Sequence, residues 1–564
     1  MITILLSWLV IAGISYLSGH FILTILSKFL KTDSGNSFTL TCLSGLAFLA
    51  MVCSWISFFS GINDWVFIGI SYLTIIWFIF NFKKIKYNVS NFKLAISSTP
   101  KILIIFFAFA GIVLLVYSAS PSKCYDEGLY YLQNIKWTYT YPLVPGLSNL
   151  ECRLGFNSSW HLLAALFSFP FALGYMLDDI NGFVYLLCVL YAIGGIKKLL
   201  KKDFHVSHFL SAAMVLPGIL FYSSIMGPAA DLSVTLFVWI IIILFVEKID
   251  QKTMDKIDLR FILIWLFSSF LITVKLSAIT ILILPAYLLF LTLRQKHWKA
   301  ILVLFSMSLL VTIPWLIRNV VLTGFLLYPL PVLNIFQVDW KIPMSELNHL
   351  NAAIEGWARL GNNNYDQINA MPFISWVPKW FAQKRIYDKL IIVIFFLSIL
   401  RLMFFYLKKY KKISGRRHLF IVVFTIFISL VLWFLKAPDL RFAYAYMICF
   451  IVISLSLVYR NSMINLTPKI LKLGFVGSGF LAFSMMLMVL YVLNKESSYS
   501  ATAMLLKPAA YPTPLFQELK VDGHPVFVPK GFQCWDGPLP CQLQLIQHPY
   551  HFRGKTLAEG FRAE

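Results

Sequence analysis

The chain of 564 residues is strongly apolar, with 59% hydrophobic and 13% charged residues and a mean hydropathy of +0.77. Soluble domains have about a quarter of their residues charged, so this composition excludes a string of soluble domains and predicts a polytopic membrane protein. Lysine and arginine total 48 against 25 aspartate and glutamate, a formal net charge of +23. The basic residues lie in short runs between apolar stretches, which is typical of cytoplasmic loops that face an anionic membrane surface. The positive charge therefore indicates the orientation of the chain in the membrane and not a nucleic-acid partner.

Apolar stretches long enough to be membrane helices recur along the chain, since a crossing needs about 20 residues. They lie near residues 2–27, 38–60, 64–82, 101–118, 182–196, 208–225, 231–247, 261–274, 276–293, 300–317, 388–407, 418–435, 442–459 and 471–493. The predicted fold is therefore an all-α polytopic bundle of about 14 transmembrane helices.

Basic runs predict the orientation of these helices. They lie at 83–86, 197–202, 294–299 and 408–417. The positive-inside rule places them in the cytoplasm. The segments on the other face are then 118–181, 225–231, 318–387, 436–441 and the tail from 494.

Two apolar stretches do not fit simple crossings. A span at Trp160–Met176 would move the basic run at 197–202 to the outside, so this stretch is predicted to be a re-entrant or interfacial helix. Residues 261–293 are too long for one straight span and have basic residues on both flanks. Two short helices that turn at Lys275 fit best.

The topology divides the chain into five parts. These are additional N-terminal helices (1–99), a transmembrane core with a first outer loop at 118–181 (100–317), a large outer loop (318–387), C-terminal helices (388–493) and a small periplasmic extension (494–564).

Four of the eight cysteines lie in the predicted outer segments: Cys124 and Cys152 in the first outer loop, Cys534 and Cys541 in the tail. An oxidising compartment favours one disulfide in each segment. Four free thiols are the alternative, because spacing alone does not establish bonding.

An adjacent acidic pair, Asp126 and Glu127, follows a predicted span in an outer loop rich in tyrosine and tryptophan. A carboxylate at a membrane boundary among aromatic side chains is partly desolvated, which raises its basicity and suits it to accept a proton from a hydroxyl group. The alternative is an acidic pair that stabilises the N-terminus of a helix.

Further charged residues are predicted on the same face. Asp231 opens a span, Lys275 separates two apolar helices, Arg318 and Asn319 end another span, and Arg441 lies in a short turn. A lysine between apolar helices usually lines a polar cavity, although its side chain can also extend to the surface. An N-cap is the simpler role for Asp231. A base beside several cations suits displacement of a phosphate leaving group, because the cations stabilise the developing negative charge.

In their order, these features resemble the GT-C integral membrane glycosyltransferases, especially the branch of protein O-mannosyltransferases and lipid A aminoarabinose transferases. The most specific piece is PWLIRNVVLTGFLLYPLP (Pro314–Pro331), which is similar to a stretch at the end of a family span. The turn Pro438–Phe442 resembles the Pro-x-Arg-Tyr turn of the family, with Phe442 in place of tyrosine. The chain departs from the family in three respects. About three spans precede the family-like core, GFNSSWH stands where the family has a histidine-proline-proline pattern, and the tail is unusual.

RLGFNSSWHLL, together with a Cys-Trp-Asp and Pro-Leu-Pro-Cys tail, also resembles a group of bacterial multi-spanning membrane proteins that supplies no substrate. The GT-C resemblance implies an inverting glycosyltransferase in the bacterial inner membrane, with its active site facing the periplasm. It would move a sugar from a polyprenyl-phosphate-linked donor to a glycan, lipid or protein acceptor.

The resemblance also implies roles for the charged residues. Asp126 would be the catalytic base with Glu127 beside it, and Lys275, Arg318 and Arg441 would bind the donor phosphate. Asp231 and Asn319 complete the substrate-binding set. No cofactor is implied, although two acidic positions leave a divalent cation open.

Three alternatives remain. A transporter or flippase for a lipid-linked or anionic substrate would use the same charges and should have an internal repeat with broken helices, which the sequence does not display. A non-catalytic subunit of an envelope glycan assembly complex would use the outer loops as binding surfaces. A related polymerase or ligase would transfer an oligosaccharide.

Overall fold

The computed structural model describes residues 1–33, 35, 37–361, 364–407, 415–461, 501–543 and 549–564. Over these residues the fold is mostly helical. The predicted span at 471–493 and most of the basic run at 408–417 lie outside the described residues.

The described part of the first half of the chain consists of helices joined by loops. They are α1 (Ile2–Leu30), α2 (Phe38–Ile56), α3 (Asp64–Phe80), α4 (Phe82–Ser97), α5 (Lys101–Ala119), α6 (Leu132–Thr140, preceded by the π-helical turn Glu127–Tyr131), α7 (Leu147–Leu150), α8 (Ser159–Leu166), α9 (Pro170–Leu173), α10 (Ile180–Leu200), α11 (Val206–Ala212), α12 (Pro217–Leu220), α13 (Tyr222–Ile225), α14 (Ala230–Asp250) and α15 (Leu259–Val274).

The second half adds more helices and two small hairpins. They are α16 (Ile283–Arg294), α17 (Trp298–Thr323), α18 (Met344–Leu360), α19 (Tyr365–Asn369), α20 (Phe373–Gln383), α21 (Ile386–Leu407), α22 (Arg416–Lys436), α23 (Tyr444–Asn461) and α24 (Ala501–Leu506), with antiparallel pairs β1 (Phe516–Val521) with β2 (His524–Pro529) and β3 (Tyr550–Phe552) with β4 (Phe561–Ala563).

In the described part of the chain, eight helices are long and apolar enough to cross a membrane, or nine if the bent pair α3 and α4 counts as one span. The most deeply buried is α14, whose residues from Leu236 to Leu244 are fully enclosed. A helix that is apolar on all sides and surrounded by other helices is the centre of a membrane bundle. The prediction of a mainly helical membrane fold is therefore confirmed, whereas the number of 14 spans stays a prediction.

Chain reversals collect at two ends of the bundle. The loop-rich end contains the segments 120–179 and 324–385, and there Trp380 donates through its indole N–H to the carbonyl of Pro438 at 2.7 Å. The basic end contains 81–100 and 197–205, and there Lys197 donates to Ser98 at 2.8 Å. These contacts define the loop-rich end and the basic end of the bundle.

The predicted continuous span at 208–225 is wrong in detail. Pro217 starts a new helical turn, and the segment is divided into α11, a 3₁₀ turn, α12 and α13. Proline lacks a backbone donor and clashes with the preceding turn, which interrupts the helix. The hydroxyl of Tyr185 donates to the carbonyl of Val215 at 2.6 Å and satisfies one freed acceptor.

The apolar stretch Trp160–Met176 does not form one spanning helix. It contains α8, of eight residues, and α9, of four. At 1.5 Å per residue, α8 is roughly 12 Å long, well short of the ~30 Å of a bilayer core.

The break at Lys275 is confirmed. Helix α15 ends there, because Lys275 has an extended backbone with φ −157° and ψ 122°. A 3₁₀ segment, Leu276–Leu282, follows and leads into α16.

Of the two predicted disulfides, one is present. Cys534 and Cys541 are bonded, whereas Cys124 and Cys152 are free thiols. The pairing of Cys124 with Cys152 was wrong because the two residues belong to different local structures. Cys152 packs against the cluster around Tyr328, and Cys124 lies at the start of the Glu127 turn.

Candidate active site at the loop-rich end

Four of the predicted site residues meet at the loop-rich end. Arg441 Nη1 lies 3.8 Å from Asp126 Oδ2 and 3.7 Å from Asp231 Oδ2. Lys275 forms an ion pair with Asp231. These residues come from four distant parts of the chain, and their side chains lie together in one cluster.

Asp231 is the buried anchor of this cluster. Its side chain is 4% exposed, and it lies in the first turn of α14, where Ala229 is the N-cap. The predicted N-cap role for Asp231 is therefore wrong. A buried carboxylate needs cationic or hydrogen-bonding partners, and Lys275 and Arg441 supply them from both sides.

The loop that leads into Asp231 is fixed by Asn181. Its side-chain amide donates to the carbonyls of Ser224, Gly227 and Ala229 at 2.6, 2.7 and 2.9 Å. The indole N–H of Trp160 donates to Asn181 Oδ1 at 2.8 Å and orients the amide. A buried polar residue that satisfies several carbonyls holds a tight loop in one conformation.

Lys275 is held by its position between two helical segments. Its ammonium lies over the ring of Phe442, 4.0 Å from the ring centroid, while it also pairs with Asp231. The hydroxyl of Ser158, in the first outer loop, donates to the carbonyl of Val274 at 2.9 Å. The side chain of Lys275 is 31% exposed and that of its partner Asp231 is 4% exposed, so the ammonium lies at the edge of the buried cluster.

Arg441 is oriented by its own turn. Its Nη2 and Nε both lie 3.0 Å from Asp439 Oδ2, and its backbone N–H donates to Asp439 Oδ1 at 3.0 Å. Asp439 is not among the predicted site residues. Its spacing of two residues before an arginine in a short turn is the signal that could have identified it.

Asp126 and Glu127 separate within the structure. Asp126 faces Arg441 and is 30% exposed, whereas Glu127 is fully buried and accepts from the hydroxyl of Ser122. Glu127 also contacts Gly227, where a Cβ would lie 2.3 Å from Oε2. The predicted catalytic pair is therefore one residue at the cation cluster and one residue behind it.

Burial raises the pKa of Asp126, and the Arg441 charge opposes this shift while the Asp231 charge adds to it. Burial also raises the pKa of Glu127, and the neighbouring Asp178 adds to this shift. The pKa of Asp178 is raised to about 8 by burial and by the charge of Asp179. Glu127 and Asp178 thus form a buried acidic pair that favours retention of a proton.

A narrow, partly open groove adjoins the cation cluster, and its cavity volume is about 10 Å³. Its polar end is formed by Asp231, Lys275 and Arg441. The apolar remainder is lined mainly by Val234, Val238, Ala278, Phe442 and Ala445. Asp231, Val234 and Val238 recur on one face of α14, a helical spacing that could have identified this wall from the sequence.

Arg318 and Asn319 do not join this cluster. Arg318 is buried, and it donates through Nε to Asn157 Oδ1 at 2.8 Å and through Nη1 to the hydroxyl of Ser57. Asn319 accepts from the Asn157 amide at 3.0 Å and donates to the carbonyl of Leu326 at 2.9 Å. Their predicted place in the substrate-binding set is not supported, because both side chains connect α17 to the first outer loop.

The tail packs on the same loop. The backbone N–H of Trp535 donates to the carbonyl of Gly128 at 2.9 Å, and Lys136 pairs with Asp536 at 2.9 Å. The amide of Gln133 donates to the carbonyl of Trp535 at 2.9 Å. The tail therefore supports the helix that carries Asp126.

A metal site is not evident in the described ranges, where no three His, Cys, Asp or Glu side chains converge closely enough to hold an ion. The cluster around Arg441 instead consists of ion pairs, in which Lys275 and Arg441 contact the carboxylates of Asp126, Asp231 and Asp439.

Neither the curated proteins nor the solved structures contain a match to this chain. The family described as a domain of unknown function, DUF8201, matches residues 1–448, a range that includes Asp126, Asp231, Lys275 and Arg441. Because this match covers most of the sequence, the chain belongs to the DUF8201 family.

Proposed function

We propose that the chain is an inverting glycosyltransferase that uses a polyprenyl-phosphate-linked sugar donor at the outer face of a bacterial inner membrane. The observation that carries the proposal is the cavity beside Asp231, which is lined by the charged residues Lys275 and Arg441 and by mostly apolar side chains, together with Thr235, Ser277 and Tyr446. A phosphate attached to a hydrocarbon chain has the same division between charged and apolar parts. Arginine and lysine are the side chains that bind phosphate oxygens.

The proposed orientation follows the charge distribution. The basic end, with the lysines at 83–86 and 197–202, is cytoplasmic, and the loop-rich end is periplasmic. About 14 membrane helices then bring Asp126 and the C-terminal extension to the periplasmic side.

Asp126 is the proposed general base. The acceptor hydroxyl attacks the anomeric carbon of the donor, its proton passes to Asp126, and the bond between that carbon and the phosphate oxygen breaks. Burial raises the pKa of Asp126, which makes its ionised form a stronger base. The departing phosphate carries the electron pair, and Lys275 and Arg441 stabilise its charge.

The test is transfer of radiolabelled sugar from extracted polyprenyl-phosphate lipids by the purified protein. Asp126→Asn is expected to reduce transfer by about 10²- to 10⁴-fold, the usual contribution of a general base. Glu127→Gln is the matched control, because it alters the adjacent carboxyl group, which is buried away from Arg441. It should retain most of the transfer.

Other outcomes point to the competing functions. Equal transfer by wild type and Asp126→Asn would exclude Asp126 as the base. Lipid binding without labelled product in any variant would support a transporter or a non-catalytic subunit and overturn the enzyme proposal.

A further inference from the structure

The helix α4 leaves the direction of α3 at an angle of 88°, directly after the end of a membrane-length apolar helix. A helix that turns through about a right angle at the end of a span lies close to the membrane plane. The sequence predicted only a basic loop here, after a span that ended near residue 82.

One face of α4 packs on the protein. Ile85 and Asn88 are buried, and Phe92 stacks on Phe38 with ring centroids 5.0 Å apart. The spacing of these residues, 85, 88 and 92, places them on one side of the helix. This face fixes the rotation of α4 about its axis, so the direction of the remaining side chains is determined.

A second apolar stripe on α4 is about half exposed. Phe82, Val89 and Ile96 are spaced by seven residues and are 49%, 42% and 40% exposed. At 100° per residue these three positions lie within about 40° of each other, beside the packed face. A stripe of large apolar side chains at the end of a span is positioned to insert into the acyl region of a leaflet.

Lysines flank this stripe, and the helix contains no acidic residue. Lys83, Lys84, Lys86 and Lys93 are all exposed. Lys86 and Lys93 lie next to the stripe on the helix surface, where a long side chain can keep its aliphatic part on the apolar surface and its ammonium in the headgroup region.

The C-terminal end of α10 adds more positive charge to this patch. Lys197 donates to the hydroxyl of Ser98 at 2.8 Å and to the carbonyl of Ala95 at 3.3 Å, which attaches α10 to the end of α4. Lys198, Lys201 and Lys202 beside it are exposed. Asp203 is the nearby acidic residue in the sequence, and it pairs with His205.

We infer that α4 and the lysines at the end of α10 form a binding surface for anionic phospholipids of the leaflet at the basic end. The phosphodiester headgroups bind the lysines, and the stripe of Phe82, Val89 and Ile96 inserts among the acyl chains. The charge complementarity and the adjoining apolar stripe together select a lipid, since a soluble anion would use only the charges. This surface is independent of the proposed catalytic activity.

The test measures lipid retained by the purified full-length protein after detergent washing, by native mass spectrometry, with phosphatidylglycerol and phosphatidylcholine supplied in equal amounts. Wild type should retain several-fold more phosphatidylglycerol. The triple variant Lys83→Gln, Lys86→Gln, Lys93→Gln should lose about a hundredfold in phosphatidylglycerol affinity, since each lysine near an anionic surface contributes about fivefold at low salt. Phosphatidylcholine retention should stay unchanged.

A matched control removes three exposed lysines elsewhere, with Lys520→Gln, Lys530→Gln and Lys555→Gln. It should behave as wild type. Equal loss in both triple variants, or equal retention of the two lipids by wild type, would overturn the inference. Full displacement of phosphatidylglycerol by soluble glycerol phosphate would also overturn it, because the surface would then bind a free anion.

A second variant set tests the apolar stripe without changing charge. Phe82→Ser, Val89→Ser and Ile96→Ser together should reduce retention of both lipids and leave the preference for phosphatidylglycerol in place. Unchanged retention would contradict the inserted orientation of α4.

Discussion

The backbone N–H of Trp535 donates to the carbonyl of Gly128 at 2.9 Å, and the indole ring lies against the same glycine. This contact joins the C-terminal extension to the turn that carries Asp126. Since Gly128 is two residues from Asp126, displacement of the ring would disturb the cation cluster as well as the tail.

Gly128→Ala is expected to destabilise the docked tail. A Cβ at this position would lie 2.5 Å from the Trp535 ring, so the ring or the backbone must move. Overpacking of this kind typically costs about 1–3 kcal/mol. Limited proteolysis should show faster cleavage in the tail. Gly69→Ala is the control, because a Cβ there meets nothing within 4 Å.

A double-mutant cycle identifies the clash itself. In a Trp535→Ala background, Gly128→Ala should have a smaller effect on the proteolysis rate, because the ring is already absent. Equal effects in both backgrounds would show that Gly128 is needed for its backbone conformation and not because it leaves room for the Trp535 ring.

Arg441→Gln tests the electrostatic link to Asp126. The Arg441 charge lowers the pKa of Asp126 against the effect of burial, so its removal should raise that pKa further. If Asp126 acts as the base, its ionised form is required, and the acidic limb of the pH–rate profile for transfer should move to higher pH. An unmoved acidic limb would mean that another group controls it.

The site could be predicted from the sequence where a charge interrupts an apolar pattern. Lys275, within a long apolar stretch, identified both a helix break and a polar cavity, and Asp231 and Arg441 were assigned to the same face by topology. The separation of Asp126 from Glu127 was not predicted. Adjacent residues in a helical turn point about 100° apart, so a neighbouring pair has two different environments.

Other features depend on distances between separate elements. Local sequence patterns do not encode how the first outer loop packs. That packing keeps Cys124 and Cys152 unbonded and encloses Arg318 with Asn157 and Ser57. Helix α4 was missed for another reason. Its lysines were interpreted as a loop, although the apolar residues at 82, 85, 89, 92 and 96 have helical spacing.

Asp178→Asn is expected to change how stability depends on pH. The pKa of Asp178 is raised to about 8 in the folded protein by burial and by Asp179, from an ordinary value of 3.8. A raised carboxyl pKa means that the folded state binds more protons than the unfolded state. The resulting stabilisation of the folded state is complete below about pH 4 and is lost as the pH rises through 8. Asparagine cannot ionise and removes this dependence.

The measurement is the thermal unfolding midpoint of wild type and Asp178→Asn in detergent at pH 5 and pH 8.5. The variant should gain stability relative to wild type at the higher pH, which is measured as a higher unfolding midpoint. Asp522→Asn is the control, because this carboxylate is exposed and its pKa is lowered by a hydrogen bond from His551. A difference between wild type and Asp178→Asn that is the same at both pH values would contradict the buried acidic pair.

Arg318→Gln separates a structural role from phosphate binding. Loss of the guanidinium removes donors to Asn157 and Ser57 in a buried region, and leaving such buried groups without hydrogen-bond partners typically costs about 1–3 kcal/mol. The expected result is a lower unfolding midpoint and less folded protein, with kcat/KM per folded molecule little changed. Arg562→Gln, at an exposed position, is the control and should leave the midpoint unchanged. If Arg318→Gln folds normally but its KM for the lipid donor rises tenfold or more, Arg318 binds substrate and the structural role assigned to it is wrong.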